Sequence, residues 1–213
     1  MSTPFAETLR TATRQAHQTA HDSPYMSGLL GGSLPLSAFA QLVTQHYFIY
    51  TALEQAAEAN RDHPVAGPFV HDGLNRVPAL ERDLAHLIGP DWRDTVTPHP
   101  ATVTYTDRIR SASGTPTGFV AHHYTRYLGD LAGGQVTKAK MRQYHGLTDD
   151  GVHFYDFTGL GSPAKFRERY RSLLNSAPWS PEDHKQVIVE TLYAFELNTA
   201  VFTELDGTLS SVA

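Results

Sequence analysis

The segment "RYLGDLAGGQV" (Arg126–Val136) decides how this chain is read, because it sets three glycines and an acid inside what otherwise looks like one long amphipathic helix. A glycine within a helix costs about 0.8–1 kcal/mol relative to alanine, since it has more backbone freedom to lose and packs nothing. Gly129, Gly133 and Gly134 therefore imply a compensating gain: a tight helix crossing, a bend, or a flat ligand lying on the backbone. Gly129 and Gly133 fall one turn apart on one face, with Asp130 displaced by about 100° around the axis. A smooth patch beside a carboxylate admits a planar group at van der Waals distance, and the carboxylate can orient a water on an open metal position. Close helix packing with Asp130 at the surface accounts for the same residues, so both readings stand at this point.

Outward from this segment, apolar residues recur at helical spacing and no stretch alternates as a half-buried strand would, which predicts an all-α fold. The spacing predicts a first helix from Pro4 to Asp22, a short one through "SPYMSGLLGG" (23–32), and a long one from Pro35 carrying Phe39, Leu42, Val43, His46, Tyr47, Tyr50 and Leu53. Further helices are expected over Pro78 to Ile88, over Ala101 to Ser113, and from Thr115 through the opening segment. Ser162-Pro163 and Ser180-Pro181-Glu182-Asp183 mark the starts of the last two. A serine oxygen accepts from free backbone N–H groups, proline tolerates the first turn, and early acids suit the helix dipole. With no Pro/Gly/Ser-rich linker and no internal repeat, residues 1–213 read as a single domain.

Composition removes several classes of function. The chain has 17 basic and 22 acidic side chains and a net charge of −5, so it lacks the general basic face that nucleic acid requires. The absence of cysteine excludes disulfides, thiolate catalysis, iron–sulfur clusters and thiolate zinc sites. The two ends carry neither a basic flank before an apolar run nor a stretch long enough to cross a bilayer, so a cytoplasmic protein without a transmembrane anchor is expected.

Two further clusters can carry chemistry. Arg10, Arg14, His17 and His21 fall at i, i+4, i+7 and i+11, a stripe about 60° wide on the first helix. Such a stripe holds an imidazole for a metal and two guanidiniums for carboxylates, or is simply a solvated basic face. "KFRERYR" crowds Lys165, Arg167, Arg169 and Arg171 onto one short helix, with the same two readings. "GLGSPA" at Gly159 mimics a dinucleotide fingerprint, but no apolar strand leads into it. No Glu-x-x-His pair of the kind a helical di-iron site uses occurs anywhere in the chain.

Taken together, "TRQAHQTAH" from Thr13 and "YTRYLGDLAGGQV" from Tyr124 resemble heme oxygenase. The resemblance continues in order through "FIYTALE" from Phe48, "ALERDL" from Ala79, "KFRERYRSLLN" from Lys165 and "AFELNTAVFTEL" from Ala194. It implies a multi-helical fold with heme b between a proximal N-terminal helix and a kinked, glycine-bearing distal helix. The implied reaction consumes heme, O2 and external reducing equivalents from a ferredoxin, a flavodoxin or a flavin reductase, and yields biliverdin, CO and ferrous iron. Heme is then both substrate and cofactor.

By position in the matching motifs, the resemblance implies that His17 is the axial iron ligand and that Arg10 and Arg14 lie near the heme edge. Arg171, supported by Arg167, fixes the propionates beside Tyr124. Gly129 and Gly133 let the backbone lie on the porphyrin, and Gly134 helps the bend. Asp130 anchors a distal water network joined by Tyr50 and Arg126, and Phe195 and Asn198 line the far side of the pocket. One departure stands out: relatives often have glutamate one turn after the ligand, where this chain has His21. The partner of the ligand's other ring nitrogen is thereby open, and His21 is a rival ligand. Two other functions remain in view: a non-catalytic heme carrier of the same fold, and an enzyme on a related helical bundle acting on a small heterocycle or binding two irons.

Overall fold

A computed structural model describes residues 3–210, and the described chain is helical with no strand. The expected first helix is two, α1 (Phe5–Ala12) and α2 (Arg14–His21). They part at Thr13, whose hydroxyl donates to the Leu9 carbonyl at 2.8 Å. Threonine bonded back to the preceding turn bends a helix, and no residue pattern announces it. Next come α3 (Pro24–Gly31), which stops at a left-handed Gly32, and α4 (Leu36–Ala59). The chain continues through α5 (Val77–Leu87), a short α6 (Trp92–Thr95) that the sequence reading lacks, α7 (Pro100–Ala112) and α8 (Pro116–His123). Beyond them lie α9 (Gly129–His145), α10 (Pro163–Ser176) and α11 (Pro181–Ser210).

The expected caps are in place. Thr115 Oγ1 accepts from the Gly118 N–H at 3.2 Å. Ser180 Oγ accepts from the Asp183 N–H at 3.1 Å while the Asp183 carboxylate accepts from the Ser180 N–H at 2.8 Å, a reciprocal pair that satisfies two donors.

The bend in the glycine-bearing helix has a specific origin. Between α8 and α9, residues Tyr124–Leu128 form a π-helical turn. An inserted π-turn widens a helix and redirects it, and this one stands directly before Gly129, a sufficient cause of a bend at that point. Gly134 has a different task. A Cβ there would come within 2.8 Å of the Tyr155 ring, so glycine is needed to seat that ring against the helix.

Tyr155 arrives from the irregular segment between α9 and α10, and two buried charges clamp that segment. Asp83 accepts from the backbone N–H groups of His153 and Phe154, both at 2.8 Å. Arg76 donates to the carbonyls of Leu74 at 3.0 Å, Gly73 at 3.1 Å and Asp156 at 2.5 Å, with its guanidinium 4.2 Å above the Phe157 ring. A buried ion is tolerable only when its hydrogen bonds are satisfied, and these two are satisfied largely by backbone groups of the short 3-10 turns His153–Tyr155 and Asp72–Leu74. The long α11 packs against α2, α3, α4, α7 and α8, leaving a cleft between α2 and the start of α9.

Candidate active site

The cleft has two lobes, of about 230 and 470 Å³, sharing His17, Thr125, Gly129 and Phe195 as common walls. Together they fall within the ~300–1,000 Å³ usual for a small-molecule site. His17 stands at their junction, its ring edge-on to Phe195 with centroids 5.8 Å apart. Partial burial and the neighbouring His21 both lower the pKa of His17, against a smaller opposing pull from Asp22, which favours a free imidazole lone pair.

Opposite His17, the backbone of Gly129 and Gly133 forms a bare wall: a Cβ at either position would meet nothing within 4 Å. No crossing helix requires these two glycines, so the packing explanation of the sequence fails for them. The open face beside them is where a flat ligand fits.

The larger lobe collects Arg10, Arg14, Arg167 and Arg171, with Tyr124 at its edge. None of these four guanidiniums makes an ion pair or hydrogen bond among the described residues, and the Nε of Arg167 is buried without a partner. Clustered cations lacking carboxylate partners, three of them exposed and Arg167 half-buried, make a receptor for an anionic ligand at the mouth of the cleft. The Tyr124 hydroxyl keeps its proton, because burial raises its pKa more than Arg171 and Arg10 lower it.

The smaller lobe holds a hydrogen-bonded chain. The Tyr50 hydroxyl donates to the Asp130 carboxyl, Arg126 Nε donates to the Tyr50 oxygen at 3.3 Å, and Arg126 Nη1 donates to Asn198 Oδ1 at 2.5 Å. Burial pushes the Asp130 pKa well above the ordinary 3.8, toward the protonated form. Arg126, Asp130 and Asn198 line the lobe, whereas Tyr50, fully buried, stands behind the wall and acts through Asp130.

The residues that the resemblance implies for the site thus lie on the cleft or directly behind it, whereas Lys165 and Arg169 of the basic cluster do not line it. His21 lines only the smaller lobe, its ring stacked on that of His17 at 6.4 Å, and its Nδ1 is paired with Asp22 at 2.9 Å. Sequence reasoning missed His46 and Tyr155 as walls of the smaller lobe. His46 lies one turn before Tyr50 on the same helix face, where its pattern reads as core. Tyr155 was not legible either, because its segment has no periodicity.

The heme oxygenase family profile matches residues 3–204. The heme oxygenase of the red alga Porphyra purpurea is 36% identical, over 100% of this chain and 91% of that relative. The structure of heme oxygenase-1 from the cyanobacterium Synechocystis in complex with heme superimposes with a TM-score of 0.94 at 34% identity, covering 99% of this chain and 96% of that one. Heme oxygenase-2 of the same organism, in complex with heme and NO, gives a TM-score of 0.93 at 35% identity over 99% and 88% of the two chains. Agreement over the full length in both sequence and fold means that this chain belongs to the heme oxygenase family.

Proposed function

We propose that this member of the heme oxygenase family cleaves heme b to biliverdin, CO and ferrous iron, using O2 and external reducing equivalents, with His17 as iron ligand and Asp130 as the distal acid. The observation that carries the reading is the position of His17 at the junction of two chemically opposite lobes. Bound heme supplies the iron that activates oxygen and the porphyrin ring that is oxidised.

The chain's own residues do the rest. Arg10, Arg14, Arg167 and Arg171 pair with the propionates, and Tyr124 borders them. Because a porphyrin can turn in its plane, these contacts decide which meso edge faces Asp130, and so the product isomer. Gly129 and Gly133 admit the macrocycle against the backbone, and Phe195 fixes its other boundary. Asp130 offers a proton to a distal water, while Tyr50, Arg126 and Asn198 hold its carboxyl in place. Gly134 contributes by seating Tyr155 in the wall of the same lobe.

Residues 1–213 act as one domain in this account. The electron donor is a ferredoxin, a flavodoxin or a flavin reductase, and an acidic donor would use the exposed guanidiniums at the heme edge. A cytoplasmic site of action belongs to the same proposal, and no helix among the described residues is long and apolar enough to cross a membrane.

The ligand assignment is tested by the axial-histidine spectrum of hemin complexes of His17→Ala and His21→Ala. Loss of the signature in His17→Ala alone is expected. Loss in His21→Ala with retention in His17→Ala would reverse the assignment.

A further inference from the structure

His46 on α4 has no place in the scheme above, yet it lines the lobe that contains Asp130 and Arg126. It is 7% exposed, and its ring packs against Tyr50 and Phe154 with centroids 6.0 and 5.2 Å away. Neither ring nitrogen makes a hydrogen bond to the protein among the described residues, and Nδ1 is buried without a partner. A core histidine that only fills space is expected to satisfy its polar atoms, since an apolar side chain of similar volume would avoid the cost of leaving them bare. Burial, with a further push from Arg126, moves the His46 pKa well below its ordinary value, so the ring is neutral and carries one donor and one acceptor.

We propose that His46 is a positioning residue of the distal lobe, holding a water molecule against Arg126 and Asp130 and so extending the hydrogen-bond network over the open face of the heme. The partners suffice. Arg126 commits only part of its donor set to Tyr50 and Asn198, and the Asp130 carboxyl has acceptor capacity beyond its bond to Tyr50. A polar recess offering two to four partners is where an internal water is retained. The other titratable groups lining the lobe are Tyr155, His17 and His21. The inference rests on the proposed assignment of this lobe as the distal side.

The test is the acid–alkaline transition of the ferric heme complex, followed by absorption, in the wild type, His46→Leu and His46→Gln. A displacement of at least half a pH unit in His46→Leu is expected, about a threefold change in proton affinity. Hemin affinity and thermal midpoint should stay close to wild type, and the glutamine should bring the transition part of the way back. An unmoved transition in a His46→Leu protein that binds hemin normally overturns the inference and leaves the proposed function intact. Failure of the wild type to bind hemin overturns both. If His46→Leu does not fold, ring-nitrogen NMR of the wild type loaded with zinc protoporphyrin decides. A slowly exchanging, hydrogen-bonded His46 N–H supports the role, and an N–H exchanging as fast as those of surface histidines contradicts it.

Discussion

A carboxyl serves as a local acid only if it keeps its proton at the working pH. Desolvation moves Asp130 in that direction, raising its pKa well above the ordinary value, and the bond from Tyr50 fixes how the carboxyl is presented. Asp130→Asn retains the volume and a hydrogen-bonding head but removes the acid. The expected outcome is normal hemin binding with biliverdin yield per reduction cycle down by at least about tenfold, the low end for a positioned acid. An unchanged yield on product analysis takes Asp130 out of the mechanism. At this scale the sequence was informative wherever a residue's chemistry conflicted with its surroundings: an acid among glycines, or an imidazole on a guanidinium stripe. It was uninformative for His46, whose position on a buried apolar face reads as core until its unpartnered nitrogens are seen.

At the scale of elements, the distal helix divides its work. The π-turn at Tyr124–Leu128 makes the bend, Gly129 and Gly133 leave the cleft wall bare, and Gly134 admits Tyr155. Gly133→Leu separates helix stability from ligand binding. Leucine favours the helix over glycine by about 0.8 kcal/mol, so the ligand-free protein should melt higher. Hemin affinity should nevertheless fall by at least tenfold in an absorption titration, because the side chain stands where the macrocycle lies. Unchanged affinity would mean that the glycine face is not the binding wall. The Ser-Pro starts and the helix periods were readable because capping and amphipathicity are local. The π-turn and the break at Thr13 were not, since each is a hydrogen-bond shift inside an otherwise ordinary helical pattern.

A second element-scale device joins α7, α8 and α11. Glu190 accepts from Arg108 Nε at 2.8 Å and is bonded to His122 Nε2 at 2.9 Å. Burial alone would raise its pKa, but the two bonds outweigh burial and hold the carboxyl at about 2, against an ordinary 4.5. A carboxylate with a depressed folded value stabilises the protein fully above its unfolded pKa and loses that contribution as pH falls through the folded one. Stability should therefore decline between pH 4.5 and 2 in the wild type. Glu190→Gln should lose on the order of 2 kcal/mol at neutral pH and show a shallower acid limb in urea melts taken across that range. An acid limb matching the wild type would show that the pair does not join the helices energetically.

Across the whole molecule, a chain of net charge −5 gathers four unpaired guanidiniums on one lobe and, on the other, a carboxyl whose pKa burial raises. In the proposed assignment, that polarity selects one orientation of heme: propionates toward the arginines, iron on His17, and one ring edge toward Asp130. The all-α fold and the broad location of the site were legible from the chain, because helical periodicity and motif order extend over nearly all of it. The irregular segment that supplies Tyr155 was not, since it is held by Asp83 and Arg76, distant in sequence, and by no local pattern. The most direct measurement is an absorption titration of the protein with hemin, followed by reductant in air and identification of the products. A saturable Soret band at equal molar amounts of hemin and protein, collapsing into a biliverdin spectrum with release of CO, is the predicted result. A tightly bound heme that survives reduction in air unchanged would contradict the account.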